Sequence, residues 1–181
     1  MRASRLLTAQ FLGYIAARDL VVMRRCNNWI APRWIRLWMI CATRGGDGWF
    51  WYGVGVLTLV FGGPDRFRAT GAAFLAAAAG IWLFLLLKKT ANRSRPCAIS
   101  RHAWATLLPP DQFSFPSGHT MTAFAVSTPI MHYYPDLSAV LMFCSVSIAV
   151  SRIVLGMHFL SDVVAGGLLG VLLGVLSAAI I

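Results

Sequence analysis

The sequence contains no glutamate, and its acidic residues are few. The six aspartates are scattered along 181 residues, at positions 19, 47, 65, 111, 136 and 162. Binding sites for Mg²⁺ or Ca²⁺ usually need several carboxylates that lie close together. The sequence therefore argues against a hydrolase that depends on such a metal, and we expect the protein to need no cofactor.

Cysteine is scarce as well, and its spacing shows no CxxC pair. The four cysteines, Cys26, Cys41, Cys97 and Cys144, fall in or near apolar segments. A free cysteine in such a segment usually packs as a small buried hydrophobic side chain. We therefore expect these residues to contribute to packing.

Charged residues are missing from long stretches of the chain, although the net charge is +10. Hydrophobic residues make up 58% of the sequence and the mean hydropathy is +0.69, values that are typical of a membrane protein. The lysines and arginines are confined to a few short stretches, unlike the dispersed basic face of a nucleic-acid-binding protein. We therefore expect membrane lipids and an anionic substrate as partners, and no nucleic acid.

Five apolar segments can cross a bilayer, with their flanks, as helices of about 20 residues. They are residues 49–62, 69–87, 120–134, 137–155 and 159–181. In the last segment, glycines 166, 170 and 174 share one helix face, which favours close packing against a helix of the same chain over a dimer contact. The sequence thus predicts an all-α, polytopic membrane bundle with five transmembrane helices.

The N-terminal part, residues 1–47, mixes apolar, aromatic and basic residues. Arginines alternate there with tryptophans such as Trp34, as in a helix that lies in the membrane interface. The alternative is a sixth, tilted span over residues 6–23. We therefore divide the chain into an N-terminal interfacial segment, 1–47, and a transmembrane core, 48–181.

Three polar clusters stand at the ends of apolar segments. They are KKTANRSRP at 88–96, PSGHT at 116–120 and SRIVLGMHFLSD at 151–162. If consecutive segments run antiparallel through the membrane, all three clusters lie on the same side. The sequence therefore predicts that they converge.

Cations of these clusters, Lys88, Arg95 and Arg152, would then surround one point. Such a site suits a group with two or more negative charges. Ser117 and Gly118 lead into a helix, whose first backbone amides also favour an anion. The alternative is that the cations are anchors at span ends and that PSGHT is a turn with a helix cap. Their common location favours a phosphate site.

Two histidines and an aspartate complete this site. His158 and Asp162 are four residues apart at the start of a helix, so the carboxylate can hold one ring nitrogen and leave the other free to attack. His119 could protonate the leaving oxygen. A structural pair at a helix end is the alternative for His158 and Asp162. His102 and His132 are expected in interfacial or packing positions.

Together these residues resemble the three-part signature of the type 2 phosphatidic acid phosphatases, a superfamily that also contains bacterial acid phosphatases and vanadium haloperoxidases. The resemblance covers about residues 48–181, and every position of the signature is filled. The matching parts are Lys88-x6-Arg95-Pro96, Pro116-Ser117-Gly118-His119 and Ser151-Arg152-x5-His158-x3-Asp162.

This resemblance implies a helical core and a two-step hydrolysis of a lipid phosphate through a phosphohistidine at His158. Asp162 would orient that histidine, and His119 would act as the general acid. The substrate would be of the phosphatidic acid, phosphatidylglycerol phosphate or polyprenyl (di)phosphate type. A lipid phosphotransferase with the same residues and a non-catalytic lipid-phosphate transporter or scaffold are the alternatives. The residues that would hold the phosphoryl oxygens are Lys88, Arg95, Ser117, Gly118 and Arg152.

Basic residues are distributed unequally between the two sides of the predicted bundle. The side with the three clusters also receives the N-terminal arginines, whereas the opposite side receives only Arg66 and Arg68. By the positive-inside rule, this bias predicts that the site opens to the cytoplasm. We accordingly expect a multi-pass protein of the inner (cytoplasmic) membrane.

Overall fold

A computed structural model of the chain describes residues 2–99 and 112–181, with the side chains of residues 2–9 and 12 left aside. Over these residues the regular structure is helical, apart from one isolated β-bridge between Ser94 and Phe113. The predicted all-α class is confirmed. In chain order the helices are α1 Arg2–Asn28, α2 Arg33–Gly45, α3 Trp49–Phe61, α4 Arg66–Ala91, α5 Pro96–Ile99, α6 Gly118–Tyr133, α7 Ser138–Val154 and α8 Leu160–Ile180.

Within the described residues, helical stretches at Gly63–Ala91, Pro135–Val154 and Leu160–Ile180 are long and apolar enough to cross a membrane. These three stretches have 29, 20 and 21 residues and mean hydropathies of 2.1, 2.0 and 2.4, and they contain α4, α7 and α8. The other two predicted spans form α3 and α6. These helices have 13 and 16 residues, fewer than the roughly 20 that span a hydrocarbon core without help from their flanks.

The N-terminal segment forms two helices, α1 and α2, where the sequence suggested one interfacial stretch. The chain leaves the helix after Asn28, and Pro32 stands at the N-cap of α2, as expected because the proline ring obstructs the helical conformation of the preceding residue. One face of α2 buries Met39 and Thr43, whereas Arg33 and Arg44 are exposed. The amphipathic character predicted for this segment is therefore present in α2.

Helix α6 lies at the centre of the bundle, packed against α4, α7 and α8. Close contact between α6 and α8 depends on the row of glycines at positions 166, 170 and 174 of α8. A Cβ atom at Gly170 would lie 2.4 Å from the backbone oxygen of Met121, and one at Gly166 would lie 2.6 Å from that of Ser117. The prediction that these glycines pack against a helix of the same chain is confirmed.

The bundle is apolar on the outside and contains polar side chains inside. Large residues such as Phe74 and Leu168 are 75% and 68% exposed on its surface. Buried Ser145 donates a hydrogen bond to Ser127 over 3.1 Å between α7 and α6. Small and hydroxylated residues between helices, with large apolar residues outside, are the pattern of helices packed in lipid. The protein is a multi-pass membrane protein.

Candidate active site

The predicted convergence of the three polar clusters is confirmed by contacts between their backbones and side chains. Arg95 Nη1 donates to the carbonyl of Met157 at 2.9 Å. The amide of Ser117 donates to the carbonyl of Asp162 at 3.1 Å. The end of α4, the start of α6 and the α7–α8 connection therefore meet at one end of the bundle.

The local conformation after α4 holds its basic residues in place. Asn92 adopts a left-handed conformation with φ of 46° at the C-terminus of α4, a role that asparagine accepts more readily than most residues. The chain then turns back and pairs with the segment before α6, where the amide of Ser114 donates to the carbonyl of Arg93 at 2.8 Å. This pairing brings Ser114, Arg93 and Arg95 to the same place.

The imidazole of His158 is buried in the α7–α8 connection, with 4% of the residue exposed. Its Nδ1 atom lies 2.5 Å from the carbonyl oxygen of Ser114. Because a carbonyl can only accept, Nδ1 carries the proton and Nε2 presents its lone pair. Arg95 Nη1 faces that lone pair at 3.3 Å.

The pKa of His158 is lowered well below its ordinary value of 6.5. Burial is the largest cause, followed by the charges of Arg152 and Arg95. Both factors disfavour an imidazolium. The ring is therefore neutral at neutral pH, the state in which a histidine nitrogen can act as a nucleophile.

Asp162 is fully buried and is fixed by two donors. Its Oδ2 accepts from the amide of Phe159 at 2.8 Å and its Oδ1 accepts from Arg93 Nη1 at 2.6 Å. The distance from Oδ2 to His158 Nδ1 is 3.9 Å, too long for a hydrogen bond. The direct bond expected between Asp162 and His158 is thus replaced by the bond from His158 to Ser114, because the amide of Phe159 holds Oδ2 at the start of α8.

Two buried arginines lie beside His158. Arg95 and Arg152 are only 4% and 3% exposed, and both act on His158 through their charge. Arg152 Nη1 donates to the hydroxyl of Thr43 on α2 at 2.5 Å. Two guanidinium charges beside one imidazole suit an anionic ligand, because guanidinium groups match the geometry of phosphate oxygens.

Lys88 and Gly118 meet through an aromatic ring. The Lys88 Nζ atom lies 4.9 Å from the ring centroid of Phe84. A Cβ atom at Gly118 would lie 3.1 Å from the same ring, so a glycine lets α4 and the start of α6 approach closely. Lys88 is therefore held beside the N-terminus of α6, a position that favours anions.

The remaining two predicted residues, Ser117 and His119, have partners inside the protein. The buried hydroxyl of Ser117 lies 2.9 Å from that of Thr120 and its amide donates to the carbonyl of Asp162, so Ser117 fixes the first turn of α6 at the site. His119 Nε2 lies 2.8 Å from Oδ1 of Asp47, in the turn between α2 and α3. His119 is also within electrostatic reach of Arg152.

Several residues at this site were not identified from the sequence. Ser114 acts through its backbone carbonyl, for which a sequence gives no signal. Thr43 and Asp47 belong to the N-terminal segment, which was treated as separate from the core. Buried Asp19 and half-buried Arg93 form an ion pair next to Asp162. An acid within an apolar helical stretch, such as Asp19, is itself a hint of a functional partner.

Two further histidines were considered in the sequence. His132 is exposed in the last turn of α6, with its ring edge-on to that of its neighbour Tyr133 at a centroid distance of 5.0 Å, in agreement with an interfacial position. His102 lies outside the described residues. Within residues 2–99 and 112–181, no three His, Cys, Asp or Glu side chains come together as a group that could hold a metal ion.

Comparison with known sequences gives matches over the helical core. The sequence profile of the PAP2 superfamily matches residues 69–181. The chain is 33% identical to phosphatidylglycerophosphatase B of Bacillus subtilis (strain 168) over 143 residues, which are 71% of this chain and 60% of that protein. It is 28% identical to lipid A 1-phosphatase of Rhizobium johnstonii over 99 residues, 52% of this chain and 41% of that protein. The chain thus spans about half the length of these curated relatives.

Solved structures with the same fold superpose on most of the chain. The crystal structure of LpxE from Aquifex aeolicus superposes with a TM-score of 0.76 and 27% identity, over 88% of this chain and 94% of that one. The first transmembrane PAP2 type phosphatidylglycerolphosphate phosphatase from Bacillus subtilis gives a TM-score of 0.73 and 24% identity, over 92% and 86% of the two chains. At that lower identity the second comparison concerns the fold alone.

Proposed function

Because the chain belongs to the PAP2 superfamily, we propose that it is an integral membrane phosphatase that hydrolyses a lipid phosphate through a phosphohistidine at His158, without a metal. The observation that carries this proposal is the state of His158. Its Nδ1 proton is held by the Ser114 carbonyl at 2.5 Å, and its Nε2 lone pair faces Arg95 Nη1 at 3.3 Å. A neutral, oriented nucleophile next to buried cations suits attack on a phosphoryl group.

In the first step, His158 Nε2 attacks phosphorus while the bond from phosphorus to the lipid oxygen breaks. The bonding electrons leave with that oxygen, which takes the Nδ1 proton of a protonated His119, because Asp47 holds the Nε2 proton. Charge builds up on the phosphoryl oxygens, and the guanidinium groups of Arg95 and Arg152 stabilise it. Lys88 and the first amides of α6 add to this stabilisation. Fixed charges of this kind act without reorganisation during the reaction.

In the second step, water attacks phosphorus and the nitrogen–phosphorus bond breaks. The electrons return to Nε2, and His119, now a base, accepts the proton of the water. While Nε2 carries the phosphoryl group, the ring of His158 is positively charged. The carboxylate of Asp162, 3.9 Å from Nδ1, stabilises that charge. We therefore assign Asp162 an electrostatic role, with orientation left to Ser114.

The proposed substrate is a lipid that bears a phosphate monoester or diphosphate. Two relatives, named phosphatidylglycerophosphatase B and lipid A 1-phosphatase, support a lipid substrate, as does the location of the site at one end of a membrane bundle. Within this class we propose the phosphatidic acid, phosphatidylglycerol phosphate or polyprenyl (di)phosphate type.

A phosphate-release assay on purified protein in detergent tests the proposal. The panel contains these lipids, lipid A 1-phosphate and water-soluble glycerol phosphate, each with and without EDTA. We expect release from at least one lipid, little from glycerol phosphate, no loss with EDTA and inhibition by vanadate, which mimics the five-coordinate phosphoryl group. Activity that EDTA removes and Mg²⁺ restores would contradict metal independence.

The matched variants are His158→Ala and His132→Ala. His158→Ala should abolish release because no other described group is placed to attack, whereas exposed His132 is outside the site and its loss should have little effect. Substantial turnover by folded His158→Ala protein would refute the phosphohistidine mechanism.

A further inference from the structure

Helix α1 contributes a buried carboxylate to the neighbourhood of the site, although it precedes the family match at residues 69–181. Asp19 is only 3% exposed. Its Oδ1 accepts from the amide of Ser161 at 3.0 Å, and its Oδ2 accepts from the Ser161 hydroxyl. Asp19 is therefore attached to the first turn of α8, one residue before Asp162.

Arg93 connects Asp19 to Asp162. Its Nη2 lies 2.6 Å from Asp19 Oδ2 and its Nη1 lies 2.6 Å from Asp162 Oδ1. The guanidinium carbon also lies 4.2 Å above the ring of Phe159, which limits its movement. The two carboxylates thus share one guanidinium in a fixed geometry.

We propose that Asp19 is a positioning residue of the active site, which keeps the net charge next to His158 negative by sharing Arg93 with Asp162. Asp19, Arg93 and Asp162 together carry two negative charges and one positive charge. Without Asp19, Arg93 and Asp162 would form a pair with no net charge, and little negative charge would face His158. The inference rests on the proposed function, since the charge matters when His158 carries the phosphoryl group.

A purely structural role for Asp19, as a tether between α1 and α8, makes different predictions. If Asp19 only joined α1 to α8, its loss should lower the stability of the protein, or should affect substrate binding and turnover together. Loss of the net negative charge next to His158 should instead slow the chemical steps. The His158 ring is cationic in the transition state and in the phosphohistidine, but not in the complex with bound substrate.

The experiment compares Asp19→Asn, Asp19→Glu, Arg93→Gln and the double variant Asp19→Asn/Arg93→Gln, as full-length protein in detergent. For Asp19→Asn we expect kcat to fall by about 10- to 100-fold, with a much smaller change in KM. Asp19→Glu keeps the charge and should retain most of the activity. Arg18→Gln, an exposed change next to Asp19 on α1, is the matched control and should behave as wild type.

The double variant separates charge from attachment. It restores the excess of one negative charge, so it should have a higher kcat than Asp19→Asn alone. A tether predicts a double variant that is no better than the worse single variant, and that result would overturn the inference. If Asp19→Asn does not purify as a folded protein, Asp19→Glu is compared with the double variant instead. An active Asp19→Glu protein beside a double variant with no measurable kcat counts against the charge role.

His158→Ala is measured in parallel. Inactive His158→Ala together with unimpaired Asp19→Asn would reject the role of Asp19 and leave the proposed function intact. Active His158→Ala would reject the proposed function itself.

Discussion

His119 and Asp47 form a hydrogen bond of 2.8 Å between the start of α6 and the turn that joins α2 to α3. Because a carboxylate can only accept, the bond holds a proton on His119 Nε2. The turn approaches the ring so closely that a Cβ atom at Gly46 would lie 2.8 Å from His119 Cδ2. The N-terminal segment therefore takes part in orienting the proposed general acid.

The role of His119 predicts a dependence on the leaving group. His119→Ala should lower kcat/KM by about 10²- to 10⁴-fold on a lipid phosphate, because an alkoxide needs a proton to leave. On an aryl phosphate, whose leaving group needs no proton, the loss should be much smaller. Asp47→Asn should show the same pattern with a weaker effect. The measurement is kcat/KM, which reports the step in which the leaving group departs and not the later hydrolysis of the phosphohistidine; equal losses of kcat/KM on the two substrates would show that His119 does not act as the acid.

The lowered pKa of His158 predicts the acid side of the pH profile. Nε2 attacks only when the ring is neutral, and burial together with Arg152 and Arg95 lowers the pKa well below 6.5. The neutral form therefore persists as the pH falls through 6.5, and the acid limb of kcat/KM should lie below that value. In Arg152→Gln, one of the lowering charges is gone, and the limb should move to higher pH.

The measurement is kcat/KM against pH for both proteins on the same substrate. Ionisation of the substrate phosphate affects both profiles equally, so the difference between them reports on the enzyme. An acid limb that does not move in Arg152→Gln would contradict the electrostatic coupling between Arg152 and His158.

The sequence predicted the part of the site that lies in short motifs. Arg95, Arg152 and His158 each stand at the end of an apolar segment, and antiparallel spans bring such ends together. The fold class followed from the same apolar segments, because a bilayer permits few alternatives to helices.

The parts of the site that the sequence did not predict depend on contacts between residues far apart in the chain. Asp19 and Arg93 are separated by 74 positions, and their pairing depends on the packing of α1 against α8. Arg93 alone was indistinguishable from a basic anchor at a span end. The bond from His158 to Ser114 uses a backbone carbonyl, so no side chain at that position could reveal it.

The packing of α8 against α6 predicts a sharp penalty for a single methyl group. In Gly170→Ala the new Cβ would lie 2.4 Å from a backbone oxygen of Met121, so α8 and α6 would have to move apart. This shift should destabilise the protein by about 1–3 kcal/mol. Gly53 in α3 is the matched control, because a Cβ there meets nothing within 4 Å. Gly53→Ala should leave stability unchanged or raise it slightly, since alanine is the better helix former.

Unfolding of the purified variants in detergent, followed by circular dichroism, gives the comparison. A Gly170→Ala protein as stable as Gly53→Ala would mean that α6 and α8 are less closely packed than the structure indicates.

The last prediction concerns the side of the membrane on which the site opens. Thr43 of α2 contacts Arg152 at the site, so the basic N-terminal helices lie at the same end of the bundle. The opposite end has the first turn of α4, with Arg66 and Arg68. Because basic residues near span ends favour the cytoplasmic side, we predict that the site faces the cytoplasm.

Single cysteines in a background without the four native ones test this orientation. Gln112 and Asp136 are both exposed; Gln112 lies just before Ser114 on the site's side, and Asp136 lies in the α6–α7 turn on the other. In intact cells a membrane-impermeant thiol reagent should label Asp136→Cys and leave Gln112→Cys unlabelled until the cells are permeabilised. The reverse pattern would place the site on the outer face, because the reagent would then reach Gln112→Cys without crossing the membrane. Labelling of both positions in intact cells would contradict the antiparallel arrangement itself, since one side of the membrane would then hold both ends of α6.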